Sequence, residues 1–200
     1  MKGALALDLF SPLVDEKTGR VDPRLLEAIG LPADASYSGR FGKVFDPDEG
    51  TSFDFALEEP GGRKVFFVFQ GVDGEFSSRP DNPADSEKLE RHYLPYLIDH
   101  VDVLWLAKAT FLEHFEILKT VSYLGRYPES GLVFIYPKAN DKLAEPENAI
   151  KRIVSKSLAP RVAILHLEYL VARLLTLTEG NTALHERVLR LKDKYVLPRP

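Results

Sequence analysis

Ser52-Phe53-Asp54-Phe55-Ala56-Leu57, then Glu58-Glu59-Pro60-Gly61-Gly62-Arg63, then Lys64-Val65-Phe66-Phe67-Val68-Phe69-Gln70: this run decides the fold. The first segment alternates, and a period of two puts Phe53, Phe55 and Leu57 on one face of a strand with Asp54 and Ala56 on the other. The Pro-Gly-Gly segment reads as the turn of a hairpin. Lys64–Gln70 is apolar on both faces, as a strand in the middle of a sheet is. An acidic side chain between two phenylalanines, beside a buried partner strand, is costly unless it is paired, open to a cleft or bound to a cation. Asp54 is therefore the foremost candidate for chemistry, although alternation alone would equally set it on the solvent face of an edge hairpin.

Toward the C-terminus the pattern becomes strand, helix, strand, helix. Gly131–Tyr136 is a continuous apolar strand ended by Pro137, Glu147–Leu158 a helix, Arg161–Leu167 a second apolar strand, and Tyr169–Leu177 a helix stopped by Gly180. Thr182–Tyr195 is a last amphipathic helix with Leu184, Val188, Leu191 and Tyr195 aligned. This order predicts parallel pairing of the last two strands through a right-handed crossover. Between the halves, residues 71–85 read as a loop long enough to shape a site. Ser86 is expected to cap a helix reaching Asp99, kinked or split at Pro95, and a longer helix is expected over Leu104–Leu124 with Phe111, Phe115, Leu118 and Ser122 on one face.

Upstream of the hairpin, Leu5, Leu9 and Leu13 give Ala4–Val14 a helical rhythm that Pro12 limits. Asp22 as N-cap, Pro23 at the first helical position and Gly30 as the stop define a second short helix. Residues 32–50, rich in Pro, Gly, Ser and Asp, read as a loop ending in the turn Asp46-Pro47-Asp48-Glu49-Gly50. The expected architecture is α/β: a mixed sheet, antiparallel hairpin first and parallel strands after, flanked by helices, in one domain over residues 1–200.

Composition bounds the function. The chain has 200 residues and no cysteine, so disulfides, thiolate catalysis and cysteine zinc sites are excluded. One Met, four Asn and a single Gln, Gln70, stand against 14 Pro, a depletion of thermolabile side chains that heat adaptation or a GC-rich genome would both give. No apolar run is long enough for a membrane span and no export signal is visible, which predicts a cytoplasmic protein. The net charge of −4 hides an asymmetry: residues 1–136 carry 14 Lys/Arg against 23 Asp/Glu, and residues 137–200 carry 12 against 7. The basic C-terminal third could face phosphates, or could simply be solvated helices. His92, His100, His114, His166 and His185 have no metal-type spacing, and His166 on an apolar strand reads as a satisfied core residue.

The order of these elements resembles the PD-(D/E)XK nuclease superfamily, and within it a family of type II restriction-endonuclease-like proteins. Leu5–Leu13, Glu49–Leu57, Gly62–Phe67, Glu113–Tyr123 and Leu132–Asn140 carry the likeness across most of the chain. The resemblance implies a restriction-endonuclease-like fold acting on DNA. It also implies a centre in which an Asp on the first hairpin strand and a Glu on the second hold Mg²⁺, while a Lys two residues after the Glu orients the attacking water. Asp54 falls on the first position; Val68 stands where the Glu would be and Gln70 where the Lys would be. Valine cannot ligate a metal, and glutamine can neither carry the lysine's charge nor take a proton at neutral pH.

In this superfamily a missing group is sometimes supplied by the neighbouring helix, where Glu113, Glu116 and Lys119 lie. Glu116 and Lys119, spaced i and i+3, could share Asp54's surroundings as metal ligand and catalytic lysine, or form an ordinary surface ion pair. Glu75 is a weaker substitute. Three readings follow: a DNA-binding nuclease fold with an impaired centre, an active Mg²⁺-dependent endodeoxyribonuclease using Asp54, Gln70, Glu116 and Lys119, or a protein-interaction module. No membrane role is expected, and a homodimer stays open.

Overall fold

The Pro-Gly-Gly segment does turn the chain: the Glu59 amide donates to the Arg63 carbonyl, the Gly62 amide to the Glu59 carbonyl, and Gly62 takes a left-handed φ of +91°. The computed structural model describes residues 2–196, without the side chains of Lys2 and Asp85. The strands are β1 (Ser38–Val44), β2 (Ser52–Glu58), β3 (Lys64–Phe69), β4 (Gly131–Tyr136) and β5 (Val162–His166), lying side by side in that order. The pairs β1–β2 and β2–β3 are antiparallel, and β3–β4 and β4–β5 are parallel. The expected mixed sheet and the parallel pairing of the last two strands are both present.

β1 lies inside the segment expected to be a loop. Its glycines serve the sheet instead of a turn. A Cβ on Gly39 would sit 2.8 Å from the Phe55 ring, so glycine is what lets β1 cross that ring, and Gly42 is left-handed at φ +58°. A second correction concerns β2. Phe55 and Leu57 do lie on one face, but Phe53 turns to the other, where it stacks on Phe66 (4.5 Å between centroids) and meets Tyr123 edge-on (4.9 Å). The pleat breaks at Asp54, across from Gly42.

One face of the sheet packs on α1 (Lys2–Phe10), α2 (Pro23–Ala28), α8 (Leu167–Thr178) and α9 (Thr182–Tyr195). α2 has the expected ends: Asp22 accepts from the Arg24 amide at 2.9 Å, Pro23 opens the helix, and Gly30 is left-handed beyond it. Leu5, Leu9 and Leu13 are all buried, and the α-helix stops at Phe10, going on as a short 3₁₀ turn through Pro12.

The opposite face carries α3 (Pro83–Lys88), α4 (Val103–Leu106), α5 (Lys108–Glu113), α6 (Phe115–Arg126) and α7 (Ala144–Ile153). α3 begins at Pro83, so Ser86 is inside it, its hydroxyl donating to the Asn82 carbonyl, and a π turn (Leu89–Tyr93) and a 3₁₀ turn (Leu94–Tyr96) replace the rest of that expected helix. The single helix expected over Leu104–Leu124 is three. Ala107 is extended (ψ 129°) and His114 leaves the helical region (ψ 30°). The backbone groups freed at the second break are taken by the preceding loop: the Glu116 amide donates to the Ser77 carbonyl and the Arg79 amide to the Leu112 carbonyl. Phe111, Phe115, Leu118 and Ser122 are nevertheless all buried, as the periodicity requires.

Candidate functional site

β3 is where the sheet changes from antiparallel to parallel pairing, and its carboxyl end collects the polar groups. The ladder to β2 stops at Phe55 opposite Phe67. The Phe69 amide, which points toward β2, donates instead to Asp54 Oδ2 at 3.0 Å. This explains how an aspartate is tolerated between Phe53 and Phe55: its carboxylate replaces a strand carbonyl.

Gln70 follows at once and is fully buried. Its Nε2 donates to Glu116 Oε1 at 3.2 Å, and Glu116 Oε2 accepts from the Ser77 amide (2.8 Å) and the Ser77 hydroxyl (3.1 Å). Gln70 Oε1 is buried with no hydrogen-bond partner among the described residues and faces Gly74, where a Cβ would come within 2.8 Å of it. Asn140, just after β4, fixes that glycine-rich turn, its Nδ2 donating to the carbonyls of Gly71 (2.8 Å) and Gly74 (2.7 Å). The fold thus brings Asp54, Gln70 and Glu116 to one end of β3, with Ser77 and Asn140 as supports. Glu116 arrives there through the helix break at His114 and the loop bond from Ser77.

Lys119, one turn further along α6, lays its ammonium over the Phe115 ring at 5.4 Å. Val68 is buried in the apolar cluster with Ala56, Phe66 and Phe134. Glu75 and Glu113 are exposed. Among the described residues no three His, Cys, Asp or Glu side chains group as a metal would need.

A second polar cluster on the same face was not anticipated. Glu49, 5% exposed, accepts from the Thr51 amide (2.8 Å) and hydroxyl (2.6 Å) and from the hydroxyls of Tyr93 (2.5 Å) and Tyr123 (2.8 Å). Burial pushes its carboxyl pKa up, but the bonds from Thr51, Tyr93 and Tyr123 outweigh it and leave the group below its ordinary value. Beside it, Asp46 pairs with Arg126, which holds that carboxyl down, while Arg126 also bonds the His92 carbonyl and lies over the Tyr96 ring. The sequence marked Asp46–Gly50 only as a turn; nothing in spacing links Glu49 to tyrosines 44 and 74 positions away.

At the end of β5, His166 is half-buried and packs edge-on to Tyr136 (5.5 Å), but its Nδ1 is buried without a hydrogen-bond partner, so it is not the satisfied core histidine expected. A cleft of about 410 Å³ lies at the opposite end of the strands, lined among others by Arg63, Val65, Glu129, Gly131 and Arg161, away from the candidate site. Arg161 there serves the fold: its guanidinium donates to the carbonyls of Leu124, Tyr127 and Ser130 and so closes the end of α6. On the outer side of the molecule, Arg187, Arg190, Lys192 and Lys194 of α9 are exposed, Lys194 being paired with Asp8 at 2.6 Å.

Among the described residues no helix is long and apolar enough to cross a membrane. Comparison with protein-family models matches residues 4–196 to the one described as restriction endonuclease associating with ARP. No curated protein and no solved structure matches the chain.

Proposed function

This chain belongs to the family of restriction endonucleases associating with ARP, and from that membership we propose that it is a DNA-binding protein on a nuclease-like fold whose cleavage centre is impaired. Its protein partner, on this reading, is the ARP of the family description. The observation that carries the proposal is the state of Gln70. The amide stands where the resemblance places a lysine, is fully buried, and donates to Glu116. A neutral amide so placed neither activates water nor offsets charge on a cleaved phosphate.

The fold family implies Mg²⁺, and the residues at this end of β3 do not fit it. The position of the second carboxylate is Val68, packed among apolar side chains. The nearest substitute, Glu116, already accepts hydrogen bonds at both oxygens, and Asp54 accepts one from the Phe69 amide. DNA contact is assigned to the basic C-terminal third, where Arg187, Arg190 and Lys192 stand exposed along α9 and can meet phosphates without desolvation of the core.

One observation favours the second reading, an active Mg²⁺-dependent endonuclease. The Gln70–Glu116 bond puts a helix carboxylate beside the strand end that holds Asp54, as a migrated ligand would require, with Lys119 one turn away. Nicking of supercoiled plasmid in Mg²⁺ or Mn²⁺, run beside fluorescence anisotropy on a DNA duplex, separates the readings. The expected result is binding that weakens linearly in log salt, with no nicking. Nicking by the wild type that Asp54→Ala abolishes would establish the active enzyme. A chain that neither cuts nor binds DNA at low salt leaves the protein-interaction role.

A further inference from the structure

The sheet has two edges, and they are built differently. β1 carries Arg40 and Lys43, pairs Lys43 with Glu58, and is distorted by the left-handed Gly42, devices that keep an edge from pairing with another chain. β5 has none of them. Val162-Ala163-Ile164-Leu165-His166 contains no charged residue, no proline and no glycine, and among the described residues no strand lies beyond it. Ala163 is exposed and the other four are only half-buried, whereas every residue of β4 after Gly131 is buried. Beside the edge runs a groove of about 300 Å³ between β5 and α7, lined by Ile150, Lys151, Val154, Ala159, Val162 and Ile164.

We infer that this edge is the interface with a second copy of the chain, β5 pairing antiparallel with β5 across a two-fold axis to continue the sheet. The charge pattern of α7, which flanks the groove, selects this occupant. α7 is acidic in its first turn (Glu145, Glu147) and basic in its last (Lys151, Arg152); Glu147 and Lys151 pair with each other along the helix at 2.5 Å, and Glu145 and Arg152 stand exposed at its two ends. A two-fold axis normal to the sheet sets the two α7 helices antiparallel on the same face, so the acidic turn of each faces the basic turn of the other. Such a surface is complementary to itself, as an isologous contact must be. The strand is equally compatible with its own copy: centred on Ile164, the pairing sets Val162 against His166 and Ala163 against Leu165, with no like charges opposed. The unpaired backbone groups of β5 would gain partners, and the apolar groove would be covered.

Sedimentation equilibrium of the full chain tests this at micromolar concentrations. The wild type is expected to be a dimer. Ala163→Lys adds a charge at an exposed position with no packing to lose, and is expected to raise the dimer dissociation constant at least tenfold with an unchanged unfolding midpoint of the monomer. Lys151→Glu also loses the in-chain pair with Glu147; it is expected to weaken the dimer more at low salt than at high salt, and adding Glu145→Lys, which does not rebuild that pair, is expected to restore the dimer. A wild-type chain that stays monomeric, or a dimer indifferent to Ala163→Lys, overturns the inference.

Discussion

The two faces of the sheet are built on opposite principles. On the side of α1, α8 and α9, Phe10 of α1 meets Phe55 (4.9 Å), Phe67 (5.7 Å) and Phe69 (5.3 Å) edge-on, and the buried polar side chain on those helices, Thr178, is a neutral hydroxyl donating to the Leu174 carbonyl at 2.7 Å. On the side of α3–α7 an apolar cluster of similar extent is threaded by Glu49 with its tyrosines, by Asp46 with Arg126, and by Gln70 with Glu116. Buried polar groups add little net stability when satisfied and cost much when not, so a fold concentrates them where geometry matters. The first face is scaffold. The second fixes loops whose positions define the candidate site.

The largest effect is expected at the apolar centre of the first face. Phe10→Ala removes three ring contacts and leaves a cavity, and should cost about 3–5 kcal/mol in denaturant unfolding, with DNA affinity of the still-folded fraction unchanged. On the polar face, Glu49→Ala strands two tyrosine hydroxyls and the Thr51 groups, and is expected to cost about 3 kcal/mol, while Glu49→Gln, which keeps an acceptor, costs less.

The same difference appears in pH. Glu49 and Asp46 have folded pKa values below their unfolded ones, so the stability they contribute is fully present above the unfolded carboxylate pKa, near 4, and is lost as pH falls through the depressed folded values. Acid titration of the unfolding free energy should therefore show a steep loss below about pH 4 that Glu49→Gln makes shallower and Phe10→Leu leaves unaltered in shape.

Smaller effects sharpen the contrast. Gln70→Leu removes the donor to Glu116 and should cost about 1–2 kcal/mol; Gln70→Lys keeps a donor, adds a charge next to a carboxylate, and should be better tolerated than Gln70→Leu in the same unfolding assay. Least of all for stability, the pair Arg190→Ala and Lys192→Ala should change unfolding by no more than about 0.5 kcal/mol. That pair should nevertheless lower the slope of log affinity for DNA against log salt by about 2.

Much of the fold was legible because local rules and tertiary packing agree. Asp22-Pro23, Gly30, the Pro-Gly-Gly turn, the apolar runs at Lys64–Gln70 and Gly131–Tyr136, and the spacing of Phe111, Phe115 and Leu118 each specify one element. β1 was not legible because Gly39 and Gly42 look like turn residues; only the Phe55 ring passing over Gly39 shows why a glycine belongs in that strand. Strict alternation puts Phe53 on the wrong face because it assumes an unbroken pleat, and the pleat breaks at Asp54, whose carboxylate accepts from the Phe69 amide. At the candidate site, Asp54 stood out by pattern and Gln70 as the sole glutamine, while a site role for Gln70 and Glu116 came only from the resemblance; Ser77, Asn140 and the Glu49 cluster gave no signal.

By itself, then, the sequence determined the α/β class, the hairpin, the parallel strands after it and the absence of cysteine chemistry. Those follow from periodicity and residue type, which act over a few neighbours along the chain. Tertiary structure alone decided that Gln70 bonds Glu116, 46 positions away, that Glu49 accepts from Tyr93 and Tyr123, and that β5 is an edge of the sheet among the described residues. Such contacts depend on where helices break and how strands are ordered, and a buried polar group finds its partner only after the apolar faces have closed around it.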